Sequence, residues 1–185
     1  MSPPPPFQDI VIVPAVPADA ASIAAIGRAT FTASFAHSMP EQDLQAYLSS
    51  SYTTSAILSE LSNPNDNTFY VARLASASSA VAGFLQIKHG STDPSLPADL
   101  RLVEIHRVYV GMEYHRRGIG GAMMEHVLGV LRREGAYEGA WLGVWEENVR
   151  AKKFYGGLGF TENVGRHSFT MGECVQWDEI LLLRL

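Results

Sequence analysis

The densest chemistry in the chain lies between Glu104 and Tyr155. This stretch opens Glu104-Ile105-His106-Arg107-Val108-Tyr109-Val110 and continues Gly111-Met112-Glu113-Tyr114-His115-Arg116-Arg117-Gly118-Ile119-Gly120-Gly121. Three glycines beside two arginines mark a strand handing over to a helix N-terminus. Glycines let a ligand approach the backbone, the first helical turn offers unpaired N–H groups, and the helix dipole favours negative charge. Arg116 and Arg117 add cationic donors suited to phosphate oxygens. So many glycines weaken a helix start, and a bound anion would compensate. The segment therefore reads as an anion cradle.

Two common cradles fit poorly. No GxxxxGK[ST] loop is present, which argues against a Walker-type nucleotide site. Gly118-Ile119-Gly120 begins a dinucleotide fingerprint, with Glu146 available to imitate its ribose-binding acid, but Met123 takes the third glycine position. The stretch from Val110 to Gly118 is also long for a dinucleotide turn, and no second βαβ half follows.

The flanking patterns predict what holds the cradle. Asp9 to Val13 reads as a strand. Pro17-Ala18-Asp19 opens a helix with Ile23, Ile26, Thr30, Phe31 and Phe35 along one face. A second helix starts at Pro40-Glu41-Gln42-Asp43 and a third is capped by Thr53 or Thr54. Strands follow at Thr68–Leu74, Val81–Lys88 and Leu102–Val110, with an exposed turn over Ala75–Ala80 and a surface loop over Ser91–Asp99. Gly118–Glu134 is the clearest helix, with Ile119, Met123, Val127 and Leu131 four residues apart. Ala140–Trp145 is a strand and Asn148–Leu158 a helix. Phe160–Val164, His167–Met171 and Trp177–Leu185 are expected as closing strands. The result is a mixed α/β (α+β) sheet, largely antiparallel before Gly118, with helices packed on it.

Composition narrows the function classes. The chain has 185 residues, net charge -5 and one cysteine, Cys174. One domain over 8–185 is expected, preceded by a disordered Pro-rich tail at 1–7. A lone cysteine excludes an internal disulfide, and no His or Cys spacing suggests a metal. Mild acidity argues against nucleic acid, and the apolar run Ile180–Leu183 is far too short for a membrane. With no signal-peptide pattern at its start, the expected location is cytoplasmic.

His115-Arg116-Arg117-Gly118-Ile119-Gly120 resembles the Q/R-x-x-G-x-G/A pattern of the GNAT (GCN5-related) N-acetyltransferases, with histidine at the first position. Asn148-Val149-Arg150-Ala151-Lys152-Lys153-Phe154-Tyr155, followed by Gly159-Phe160, resembles that family's N-x-x-A-x-x-x-Y signature. The resemblance implies a twisted, mostly antiparallel sheet with helices on both faces and a splayed central strand pair. It also implies acetyl-CoA as co-substrate and direct transfer to a primary amine in a ternary complex, with a homodimer among the family's habits. The CoA-binding positions would be Val108, Tyr109 and Val110 through their backbone, His115 to Gly121, and Asn148. Tyr155 would protonate the departing thiolate. Glu104, an acid among Leu102, Val103 and Ile105, is the expected general base. His106 stands in reserve on the same strand face unless a bulge intervenes.

A closer resemblance, to the bacterial spermine/spermidine acetyltransferases, rests on several further segments. They are Thr30-Phe31-Thr32-Ala33-Ser34-Phe35, Glu41 with Leu44–Leu48, Asn63-Pro64-Asn65, Leu142–Glu146 and His167–Gly172 with Gln176 and Asp178. It implies a small cationic amine as acceptor, with Phe31 and Phe35 lining the slot and Glu104 and Glu146 as counter-charges. The alternatives are a protein or peptide N-acetyltransferase and a non-catalytic acyl-CoA-binding domain.

Overall fold

A computed structural model describes residues 10–75, 80–172 and 174–185. The Pro-rich tail and most of the expected 75–80 turn lie outside the described residues. A seven-stranded sheet is built from β1 (Ile10–Pro14), β2 (Asn67–Leu74), β3 (Val81–Lys88), β4 (Leu102–Val110), β5 (Gly139–Trp145), β6 (Glu162–Met171) and β7 (Cys174–Arg184). Its order is β1-β2-β3-β4-β5-β7-β6. Every neighbouring pair is antiparallel except β4 and β5. A doubly wound parallel sheet is thereby excluded.

Helices cover both faces, as expected. On one face α4 (Ile119–Glu134) buries Ile119, Met123, Met124, Val127, Leu128 and Leu131 against Leu85, Ile87, Val103, Ile105, Leu142 and Val144. Each such side chain contributes roughly 1.5–3 kcal/mol. The helix stops where Gly135 takes a φ of 64° and donates back to Leu131, beside Arg132 and Arg133 in the last turn. Next to it lies α5 (Val149–Gly157). On the other face α1 (Ala20–Phe35), α2 (Glu41–Ser51) and α3 (Thr54–Leu61) pack Ile23, Phe31, Leu44, Leu48 and Ile57 onto Phe69, Val71 and Phe84.

Several expectations change. Asp19 precedes α1 in a short 3-10 turn, where it accepts from Val16 N at 2.9 Å and pairs with Arg73 at 2.7 Å. It acts through these partners more than through a helix dipole. The two strands expected over 160–171 are one strand, β6, with a bulge between Asn163 and Gly165 that keeps the ladder to β7 intact. Gly165 sits there because a Cβ would collide with the Ser95 side chain. Pairing of Met171 with Cys174 starts β7 three residues early. Among the described residues no helix is long and apolar enough to cross a membrane.

Candidate active site

Strands β4 and β5 pair at Leu102, Val103 and Glu104 and then part, although β4 continues to Val110 and β5 to Trp145. The gap opens a cleft of about 800 Å³ that reaches from the start of α4 to the inner surfaces of α1, α2, β6 and β7. On its other side β4 carries a bulge. Arg107 faces Gln86 and Ile105 faces Ile87, so His106 is passed over in the ladder to β3. The extra residue reverses the alternation. Glu104, Arg107 and Tyr109 therefore share the α1–α3 side, while Ile105 and Val108 turn toward α4.

The cradle follows from local backbone. Arg116 has a φ of 61° and Gly118 a φ of 80°, two left-handed residues just before α4. Such residues near a helix start turn successive N–H groups toward one point, which makes an anion-binding concavity. Gly118 pays no Cβ penalty for it, but Arg116 does. Arg116, Gly118, Ile119, Gly120 and Gly121 line the cleft, as do Val108, Tyr109, Val110 and His115. Arg117 does not, and its guanidinium lies 6.0 Å from the Tyr114 ring. These left-handed residues, Arg116 and the stretch of β4 that β5 leaves without a strand partner fit a pyrophosphate ester carrying a long amide-bearing arm.

Across the gap, Asn148 caps α5, its Oδ1 accepting from Ala151 N at 3.0 Å. Tyr155 lines the cleft between Phe154 and Phe160. Burial pushes its hydroxyl well above the ordinary phenol value, with the neighbouring Tyr109 adding to the rise. It stays protonated at neutral pH. Glu104 Oε1 lies 2.7 Å from His106 Nδ1. Burial would raise the Glu104 carboxyl, but the hydrogen bond and charge of His106, with Ser91 and Lys88, hold it below the usual carboxylate value. Opposite Glu104 on β5, the buried Trp141 indole N–H makes no hydrogen bond among the described residues.

The far end is aromatic and acidic. Phe31 packs at 4.5 Å between ring centroids on both Phe35 and Tyr47, and Phe35 meets Trp145 at 5.3 Å. Tyr52 donates to Tyr109 at 3.1 Å, and burial pushes Tyr109 up to about 12. Beside them the buried Arg107 pairs with Glu60 at 2.7 Å. His167 Nδ1 is 2.9 Å from Asp93, and its Nε2 is 3.8 Å from Asp178. Burial raises the Asp178 carboxyl, opposed by His167 and reinforced by Glu146. Gly143 leaves room for it, since a Cβ there would come within 3.2 Å of Asp178 Oδ2.

The cleft thus gathers Phe31, Phe35, Glu104, Asn148 and Tyr155 with most of the cradle. Glu146 is not among its lining residues; at the end of β5 its carboxylate meets Arg166 at 3.6 Å. Asp93 is the addition that sequence reasoning lacks. Its segment has two prolines and the look of a surface loop, yet Asp93 is buried, held by Ser95 and His167.

A sheet that parts between β4 and β5, with two left-handed residues and Arg116 at the start of α4 and a partly buried, protonated tyrosine on the gap, has the layout of a CoA-dependent acyltransferase. The chain belongs to the acetyltransferase (GNAT) family, whose model matches residues 29–160, and is an acetyl-CoA-dependent N-acetyltransferase. It is similar to an uncharacterized N-acetyltransferase in the pepI 3′ region of Lactobacillus delbrueckii subsp. lactis, at 29% identity over 85% of this chain and 87% of that one. It also resembles the uncharacterized N-acetyltransferase Rv2669 of Mycobacterium tuberculosis, at 26% identity over 90% and 98%. The fold is shared with the PaiA N-acetyltransferase of Thermoplasma acidophilum, solved in complex with coenzyme A. The TM-score is 0.73 and the identity 20%, over 96% of this chain and all of that one.

Proposed function

We propose that the acceptor is a small primary amine with a second positive charge, a polyamine such as spermidine or spermine, acetylated directly in a ternary complex. One observation carries the acceptor class: Asp93, Glu104 and Asp178 line the same aromatic-walled cleft as the CoA cradle. Carboxylates at the far end suit an ammonium group, and the rings of Phe31 and Phe35 suit the methylene chain between charges. In this reading the cradle from His115 to Gly121 holds the pyrophosphate, with Arg116 as its chief cation. The Val108–Val110 edge and Asn148 hold the arm. Tyr155 supplies the proton for the sulfur, and the Glu104–His106 pair receives the one the amine must lose. Cys174 is not among the residues lining the cleft, and its Sγ rests 3.5 Å from Ser38 O, which favours direct transfer over a cysteine relay. The same reading puts the work in the cytoplasm.

Thiol release from acetyl-CoA, measured with spermidine, butylamine and a peptide at matched concentrations, tests the acceptor. Spermidine should be preferred. Preference for the peptide would assign peptide N-acetylation instead.

A further inference from the structure

We propose that His106 takes the proton from the acceptor amine, and that Glu104 is the positioning residue that holds the imidazole for it. This division of labour rests on the direct-transfer reading above and assigns what that reading leaves to the pair.

The bulge in β4 comes first. Because His106 has no partner in the β3 ladder, its ring is committed to neither hydrophobic core. It lines the cleft with 31% of its side chain exposed, against 11% for Glu104. The hydrogen bond comes second. An ionised carboxylate can only accept, so the 2.7 Å contact with Glu104 Oε1 puts the hydrogen on His106 Nδ1 and the lone pair on Nε2. Nε2 makes no hydrogen bond among the described residues. A carboxylate fixes the tautomer of a catalytic imidazole, and stabilises its charged form, in the same manner elsewhere.

Base strength comes third. One Glu104 oxygen is already engaged by the His106 ring, and a carboxylate is by its nature a weaker proton acceptor than an imidazole. Imidazole is the side chain best matched to accepting a proton near neutral pH. The other titratable groups lining this cleft are Lys88, Asp93, His115, His167, Asp178 and the tyrosines, with the guanidinium groups of Arg107, Arg116 and Arg150; the His115 ring is engaged with the Val110 carbonyl. Lys88 acts on Glu104, Asp93 and Asp178 are engaged with His167, and Arg107 pairs with Glu60.

The protons balance. Nε2 removes one proton from the ammonium, and the imidazolium, paired with Glu104, passes it to water at its exposed edge. The freed lone pair forms the nitrogen–acyl bond, and the acyl–sulfur bond breaks with its electrons leaving on sulfur. Tyr155 protonates that sulfur and recovers a proton from the newly acylated nitrogen. One ammonium and one thioester become one amide, one thiol and one proton in water.

The test is the pH profile of kcat/KM for amine-dependent thiol release, with acetyl-CoA and spermidine, or butylamine if spermidine is not a substrate. H106Q should lower kcat about 100-fold or more at pH 7, in line with general-base effects, and abolish the acidic limb of the profile. E104Q should lose about tenfold and keep that limb. Added imidazole should restore H106A and leave E104Q unchanged. Retained stabilisation by CoA in a thermal melt identifies the variants that fold. If E104Q loses the limb while H106Q stays within about threefold of wild type, the assignment is overturned and Glu104 is the base. Wild-type protein that releases no thiol with any amine would instead overturn the transfer reading, and this assignment with it.

Discussion

The ring of His115 donates from Nε2 to the carbonyl oxygen of Val110, 2.9 Å away. The first residue of the cradle thereby ties down the last residue of β4, at the carbonyl that Thr30 of α1 also reaches at 3.4 Å. The family resemblance assigns this position a mainly backbone role, so a histidine there looks like a minor substitution. In this structure the side chain closes the turn between strand and cradle. His115→Ala is expected to raise the KM for acetyl-CoA about 3–10-fold, the worth of one hydrogen bond, with kcat nearly unchanged. Steady-state kinetics at saturating amine would show it. An unchanged KM would mean that the turn holds without the ring.

Arg116 and Arg117 separate in the structure although they are adjacent in sequence. Only Arg116 is among the residues lining the cleft. Arg116→Ala should raise the KM for acetyl-CoA about 10–100-fold, as expected for losing a charge-assisted contact, and Arg117→Ala by about threefold or less. Equal effects would show that the two arginines serve the cofactor alike.

Tyr155→Phe removes a hydroxyl and leaves the ring that packs against Phe154 and Phe160. A loss of about 100-fold or more in kcat is expected, while calorimetric binding of acetyl-CoA stays within about twofold. The sign of the pH effect follows from burial. A raised value keeps the acid form present to higher pH, so the alkaline limb of kcat in the wild type should lie above the ordinary phenol value and disappear in the variant. Parallel losses in kcat and binding would reduce Tyr155 to packing.

Gly27 lets α1 lie close against the residue just after α2, since a Cβ there would collide with the ring of Tyr52. Gly27→Ala should cost about 1–3 kcal/mol by overpacking, less up to about 1 kcal/mol returned by helix propensity. Urea unfolding measures the balance. Tyr52 donates to Tyr109, which lines the cleft, so the same variant should also weaken catalysis. A variant as stable as wild type would mean that the Tyr52 ring moves aside freely.

Periodicity made the carriers of the site legible. The four-residue rhythm from Ile119 to Leu131 marks α4, and Val81–Lys88 and Leu102–Val110 are strands at the residues the pattern predicts. Glu104 stands out as an acid among core residues, and it does face the cleft. The relation of Glu104 to His106 is different in kind. Strict alternation puts both on one face and the structure does bring them together, but the bulge that leaves His106 out of the ladder is a matter of register against β3, and register is set by pairing partners distant in sequence. Asp93 is hidden for a similar reason: its partner His167 lies on β6, 74 residues later. Glu146 is not among the lining residues; its carboxylate meets Arg166 of β6, a contact that nothing local predicts.

The parting of β4 and β5 also bears on how the molecule persists. An internal seam without a ladder exposes peptide groups in the middle of a sheet, the kind of edge that invites foreign strands and local opening. A bound acyl-CoA would stitch that seam. Ligand at 100 times its dissociation constant would then add about 2.7 kcal/mol to the folded state. The lifetime of this protein should accordingly follow the supply of its own co-substrate, resisting proteases when acyl-CoA is plentiful and yielding to them when it is scarce.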